Sequence, residues 1–162
     1  MTGVGAGAGG GAGTDLPGHD TFGYQTLLLA RTLQAQFLAD IRRTGLSPAQ
    51  TNVLAEIARA GPLPQRDLAE RLSIGNASIG QTIDRLESSG HIARTRSPVD
   101  RRVFHPVLTP KGTRAVRVIA DAAWAQLAML ERQLGADFIA QMTQAMLRIN
   151  AALDTAPVDE VE

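Results

Sequence analysis

The chain has 162 residues, no cysteine, and sixteen basic against sixteen acidic side chains, a length that suits one domain with extensions. Lacking cysteine, it has no disulfide, thiolate metal site or thiol redox sensor, a usage that fits a reducing, cytoplasmic setting. Aromatic residues are few, which leaves Leu, Ile, Val and Ala to build the core, and no apolar run approaches the ~18 residues of a membrane-spanning helix.

Overall neutrality hides a strong internal asymmetry. Residues 1–84 carry six Lys/Arg and seven Asp/Glu, residues 85–117 carry eight basic against two acidic, and residues 118–162 carry two basic against seven acidic. The middle segment is therefore a local cationic patch, which attracts polyanions whatever the total charge.

In chain order, residues 1–19 read as a disordered tail. They hold half of the chain's sixteen glycines, have almost nothing to bury, and lack the charged start and apolar stretch of a secretion signal. From Thr21 to Arg42 the apolar residues Phe22, Leu27, Leu28, Ala30, Leu33, Phe37, Leu38 and Ile41 recur mostly at spacings of three and four, which predicts one long amphipathic helix over 20–45. Helix restarts at "SPAQ", where Ser47 caps, Pro48 suits the first helical position and Gln50 completes a capping box. Val53, Leu54, Ile57 and Ala58 form its buried stripe, and Gly61-Pro62 ends it.

The short helix "PQRDLAERL" turns Leu68, Ala69 and Leu72 inward, and Ser73-Ile74-Gly75 makes a tight turn into "NASIGQTIDRLESSG". Ile79, Ile83 and Leu86 define the inner face of this second helix, and Gly90 closes it. Its other face carries Asn76, Ser78, Gly80, Gln81, Asp84 and Arg85. Two short helices across such a turn form a helix-turn-helix. "HIARTR" then alternates as a strand, "SPVD" turns, and "RRVFHPVL" returns, with Pro106 forbidding a fully paired central strand. Thr109-Pro110 starts the last helical third, split by Gly135, with stripes through Val116, Ile119, Ala123, Leu127 and Leu130, then Phe138, Met142, Met146, Ile149 and Leu153.

The fold class is thus mainly α with a small β-hairpin wing. A helix-turn-helix followed at once by a basic hairpin is a winged helix, whose second helix fits the major groove. Asn76, Ser78, Gln81 and Arg85 supply the small polar side chains and the arginine such a helix needs outward. Arg96, Arg101 and Arg102 lie on the hairpin, where a tip arginine enters a narrow minor groove. Asp100 is expected to hold the Arg102 guanidinium, and Asp84, which repels phosphate, to pair with Arg85 or a wing arginine.

His19, His91 and His105 have no metal-ligand spacing. No nucleophile with a base, paired carboxylates or cofactor loop is present, and "GVGAGAGGGAG" has neither the preceding strand nor the following helix of a phosphate loop. The reading is a binding protein, not an enzyme, with no cofactor and no metal.

"LAERLSIGNASIGQTIDRLESSGHIARTRSPVDRRVFHPVLTPKG" resembles the DNA-binding core of the MarR family of regulators. The match is strong over residues 46–115 and extends in layout over about 20–155. The resemblance implies a cytoplasmic homodimer in which a helix at 20–45 and two at 111–155 form the dimerisation part, while 46–110 is the winged helix-turn-helix and 156–162 a flexible end. It also implies double-stranded DNA with a pseudo-palindromic operator as partner, usually a repressor's output, and release by a small phenolic or drug-like effector. Phe37 and Trp124 are candidates to line the effector pocket, although Trp124 among Leu127, Ala128 and Met129 also suits helix packing. Gly80 and Gln81 depart from the hydroxyl residue and arginine frequent in the family, so Gly80 either admits close backbone approach to the bases or weakens the helix. The alternative is a winged helix docking its basic hairpin on an acidic protein partner.

Overall fold

A computed structural model describes residues 18–96 and 100–154. The expected tail, apart from Gly18 and His19, lies outside the described residues, as do 97–99 of the "SPVD" turn and the end beyond 154. The elements are α1 (Phe22–Asp40), a 3-10 turn (Arg42–Thr44), α2 (Pro48–Ala60), α3 (Gln65–Arg71), α4 (Asn76–Ser88), β1 (Ile92–Arg96), β2 (Phe104–Leu108), α5 (Pro110–Leu134) and α6 (Ala136–Asp154). Two compact units divide within α1, the first ending at Gln36 and the second beginning at Phe37.

In the first unit α1 begins on a turn. Thr21 donates its N–H and hydroxyl to the Gly18 carbonyl, and the His19 ring stacks on Tyr24 at 4.5 Å between centroids. Phe22, Tyr24, Leu27, Leu28 and Leu29 are exposed.

The second unit is built on α2, α3 and α4. The Ser47 hydroxyl accepts from the Gln50 N–H at 3.3 Å while the Gln50 side chain accepts from the Ser47 N–H at 2.9 Å, so the expected capping box is formed. Val53, Leu54 and Ile57 of α2, Leu68 of α3, and Ile79, Ile83 and Leu86 of α4 are buried together with Ile41 and Ile92. Ala58, expected inward, is exposed, because the stripe turns through Glu56 instead. That buried carboxylate is held by Arg59 at 3.0 Å and Arg71 at 3.2 Å, which satisfies its charge.

Ser73 takes a positive φ of 51°, the left-handed step that lets two helices join across so short a turn. The two strands pair antiparallel from Ile92–Leu108 to Arg96–Phe104. In this two-stranded sheet of the described residues both strands are edges, so Pro106 is accommodated opposite Arg94. The architecture is a winged helix-turn-helix flanked in sequence by long helices.

On α5 the inward phase runs through Ala115, Ile119 and Ala122, and Ala123 faces solvent. Trp124 is 69% exposed rather than core. No residue of α6 is buried among those described, and Phe138, Met142 and Leu147 are exposed.

Candidate nucleic-acid interface

A helix advances about 100° per residue, which orders the outer surface of α4 around its buried residues Ile79, Thr82, Ile83 and Leu86. Ala77, Gln81, Asp84 and Ser88 form the centre of the outward stripe. Ser78 and Arg85 flank it on one side, and Gly80 and Glu87 on the other. Asn76, Ser78, Gln81 and Arg85 are all exposed. Asn76 also lends its carbonyl to the Gln65 side chain at 3.1 Å.

Gly80 does not belong to the open surface. It is half-buried, and a Cβ there would lie 3.2 Å from Gln65 Nε2. The missing side chain makes room for the Gln65 amide, which ties α3 to the start of α4. Neither expectation for Gly80 anticipated that neighbour.

The wing is braced from within. The Arg96 guanidinium donates to the Arg101 carbonyl at 2.9 Å and lies over the Phe104 ring, 5.2 Å from its centroid. Asp100 holds Arg102 by its main chain: Oδ1 accepts the Arg102 N–H at 2.9 Å, and the Asp100 carbonyl accepts the Val103 N–H at 3.0 Å. Asp commonly starts such turns because its side chain bonds the backbone two residues on. Asp100 thus grips the turn through the Arg102 main chain. Arg101 and Arg102 are exposed at the tip, and among the described residues neither they nor Arg85 form an ion pair.

Arg94 behaves differently. It counts toward the basic hairpin, yet it binds Asp84 at 2.5 Å and Glu87 at 2.8 Å. Asp84 thus pairs with a wing arginine, as its position on the outward stripe required, and Arg94 bolts β1 to α4.

The base of the wing is tied to α5 and to the end of α4. Lys111 Nζ donates to the Ser89 carbonyl at 2.7 Å, and the Thr109 N–H donates to the His91 carbonyl at 3.0 Å. The Ser89 hydroxyl lies 3.1 Å from the Leu86 carbonyl oxygen and 2.8 Å from His91 Nδ1, within hydrogen-bond reach of both. Burial lowers the His91 pKa, and the Lys111 charge lowers it further. The fold therefore favours neutral imidazole, while the unfolded chain takes up its proton near the ordinary histidine value of about 6.5. Stability from this residue is fully kept above that pH and is lost as pH falls below it toward the lowered folded value. We expect the melting temperature to drop over that window and His91→Gln to flatten the drop; identical pH profiles for the two proteins would exclude His91 as the titrating group.

Among the described residues no group of three His, Asp or Glu could hold a metal, and no helix is long and apolar enough to cross a membrane. Phe37 is half-buried against the core and Trp124 is exposed.

Comparison with known proteins gives this geometry a context. The family model described as "MarR family" matches residues 44–103, the segment from the α2 cap to the wing. The chain is similar to the HTH-type transcriptional repressor MdtR of Bacillus subtilis, 36% identical over 52% of this chain and 54% of that protein. It thus spans about half the length of that curated relative. The solved structure of a probable transcriptional regulator from Pseudomonas aeruginosa superposes with a TM-score of 0.69 at 25% identity, covering 80% of this chain and 97% of that one. The transcriptional repressor CouR, solved bound to a 23-mer DNA duplex, gives 0.74 at 26% identity, covering 85% and 99%. With its helix-turn-helix and wing matched by the family model and its longer layout by these neighbours, the chain is similar to the MarR family of transcriptional regulators over its helix-turn-helix and wing.

Proposed function

We propose that the protein is a homodimeric, sequence-specific DNA-binding repressor, released from a pseudo-palindromic operator by a small phenolic or drug-like effector. The observation that carries the DNA-binding part is the arrangement of one exposed helix face, Ser78, Gln81 and Arg85, with a wing tip whose Arg101 and Arg102 are exposed and form no ion pair among the described residues. Groove-reading side chains and free guanidinium groups on one module are what base edges and phosphates respectively require. The similarity to CouR, solved on duplex DNA, supports the same reading.

Dimerisation is supported by the exposed large apolar residues that α1 and α6 each carry, Phe22, Leu27 and Leu28 on the one and Phe138 and Met142 on the other, since exposed apolar surface of this kind suits an interface. A twofold dimer would set its two α4 helices in successive major grooves, ~34 Å apart. Repression and effector release rest on the family resemblance and on the relatives named as repressors. The pocket candidates differ: Phe37 is partly enclosed, whereas Trp124 lies open.

Selecting bound duplexes from a random library tests the reading. We expect one enriched palindromic motif, with log affinity falling against log salt by about 0.9 per phosphate contact. Recovery of no motif, together with tight salt-sensitive binding to an acidic protein, would favour the hairpin as a protein-docking element instead.

A further inference from the structure

We infer that Asp84 is a base-reading acceptor on α4, oriented by Arg94, and that its ligand is the exocyclic amino group of a cytosine in the major groove; this rests on the DNA-binding function proposed above. Asp84 stands at the centre of the outward stripe, three residues after Gln81 and next to Arg85, and its side chain is 64% exposed. The two guanidinium nitrogens of Arg94 divide between Asp84 Oδ1 and Glu87 Oε2. A planar fork fixed at two points sets the direction of the carboxylate it holds. A carboxylate has about four lone-pair sites, so this contact leaves Asp84 able to accept a further bond from the outer side.

Charge separates the floor of a groove from its walls. Two carboxylates against one guanidinium leave the Asp84–Arg94–Glu87 group with a surplus negative charge. Phosphate repels such a group, whereas the amino group that cytosine presents in the major groove attracts it, and Asp and Glu accept from that group. Tying the wing to α4 needs only one carboxylate partner. Glu87, the less exposed of the two at 38%, is sufficient for that purpose. Asp84 is the more open one, and it lies among the residues placed to read bases.

The test compares library selections made with the parent, Asp84→Asn and Arg94→Gln, all as full chains whose folding is checked by melting. We expect all three to enrich motifs of the same half-site spacing. The parent should prefer cytosine at one position of each half-site by about fivefold, the factor that corresponds to the low end, about 1 kcal/mol, of a base contact. Asp84→Asn should lose that preference or move it toward adenine, whose adjacent donor and acceptor suit an amide, while the other positions stay unchanged. Arg94→Gln should blur the same position. If Asp84→Asn binds every duplex more weakly but enriches an unchanged motif, Asp84 is a wing clamp and the inference fails. If the parent itself enriches no motif, the DNA-reading function fails, and the inference with it.

Discussion

Arg102→Ala is expected to weaken binding to all duplexes by about tenfold or more and to flatten the salt dependence. Asp100 pins the Arg102 main chain through its N–H at 2.9 Å, and Arg96 holds the Arg101 carbonyl. Truncating the side chain therefore removes the guanidinium without unmaking the turn. Bonds to charged groups contribute about 1.5–3 kcal/mol, and each 1.4 kcal/mol is about tenfold in affinity. For every phosphate the wing no longer meets, the salt slope should fall by about 0.9. Arg102→Lys keeps the charge but not the fork, so it should preserve the slope and recover only part of the affinity. Gln81→Ala works on the other term: it removes a base-edge partner, so preference among sequences should change while the slope stays. Fluorescence anisotropy on one duplex across a salt series separates the two. An Arg102→Ala protein with the parent's affinity and slope would mean that the wing tip does not meet DNA.

The sequence discloses features written in neighbouring residues. Ser47 with Gln50, the Ser73–Gly75 turn and Thr109 before Pro110 are local devices whose partners lie within four residues, so spacing alone suffices to place them. Contacts made across the fold are not visible in that way. Glu56 looks like a solvent-facing helix acid, yet it is buried between Arg59 and an arginine fifteen residues on. Gly80 looks like a weakness or a reading device until Gln65 is found in the space it leaves. Arg94 counts as wing charge in any composition, whereas Asp84 and Glu87 neutralise it on α4. Trp124 fails for a different reason: helical periodicity identifies an apolar face but not what covers it, and the inward phase of α5 runs through Ala122 instead. The net charge of the interface is therefore smaller than the number of its arginines suggests. Among the described residues of α4 and the wing, the cations without an ion pair are Arg85, Arg96, Arg101 and Arg102.

Gly112→Ala should lower the melting temperature by several degrees, against the direction that helix propensity predicts. Gly112 lies in the first turn of α5, where alanine is intrinsically better than glycine by about 1 kcal/mol. A Cβ at this position, however, would run into the His91 carbonyl oxygen and stand only 3.1 Å from the carbon that bears it. Carbon approaches such an oxygen to about 3.3 Å even in favourable C–H···O contacts. The obstacle is backbone, so no rotamer change relieves it. The start of α5 would have to lift away from His91. That movement strains the Thr109 N–H bond to His91, the Lys111 bond to the Ser89 carbonyl, and the cap that the Thr109 hydroxyl provides to the Gly112 N–H at 3.1 Å. Overpacking costs about 1–3 kcal/mol, occasionally more. Rigid surroundings put this site at the upper end, which outweighs the propensity gain and leaves a net loss of about 2 kcal/mol. For a chain of this size that is a fall of about 4–8 °C, readable by calorimetry or by circular dichroism. The first two of these bonds anchor the base of the wing to the end of α4, so the variant should also bind DNA less tightly at temperatures where it remains folded. An unchanged or raised melting temperature would show that α5 relaxes without disturbing the wing, and that the close approach at Gly112 is not what fixes the hairpin beside α4.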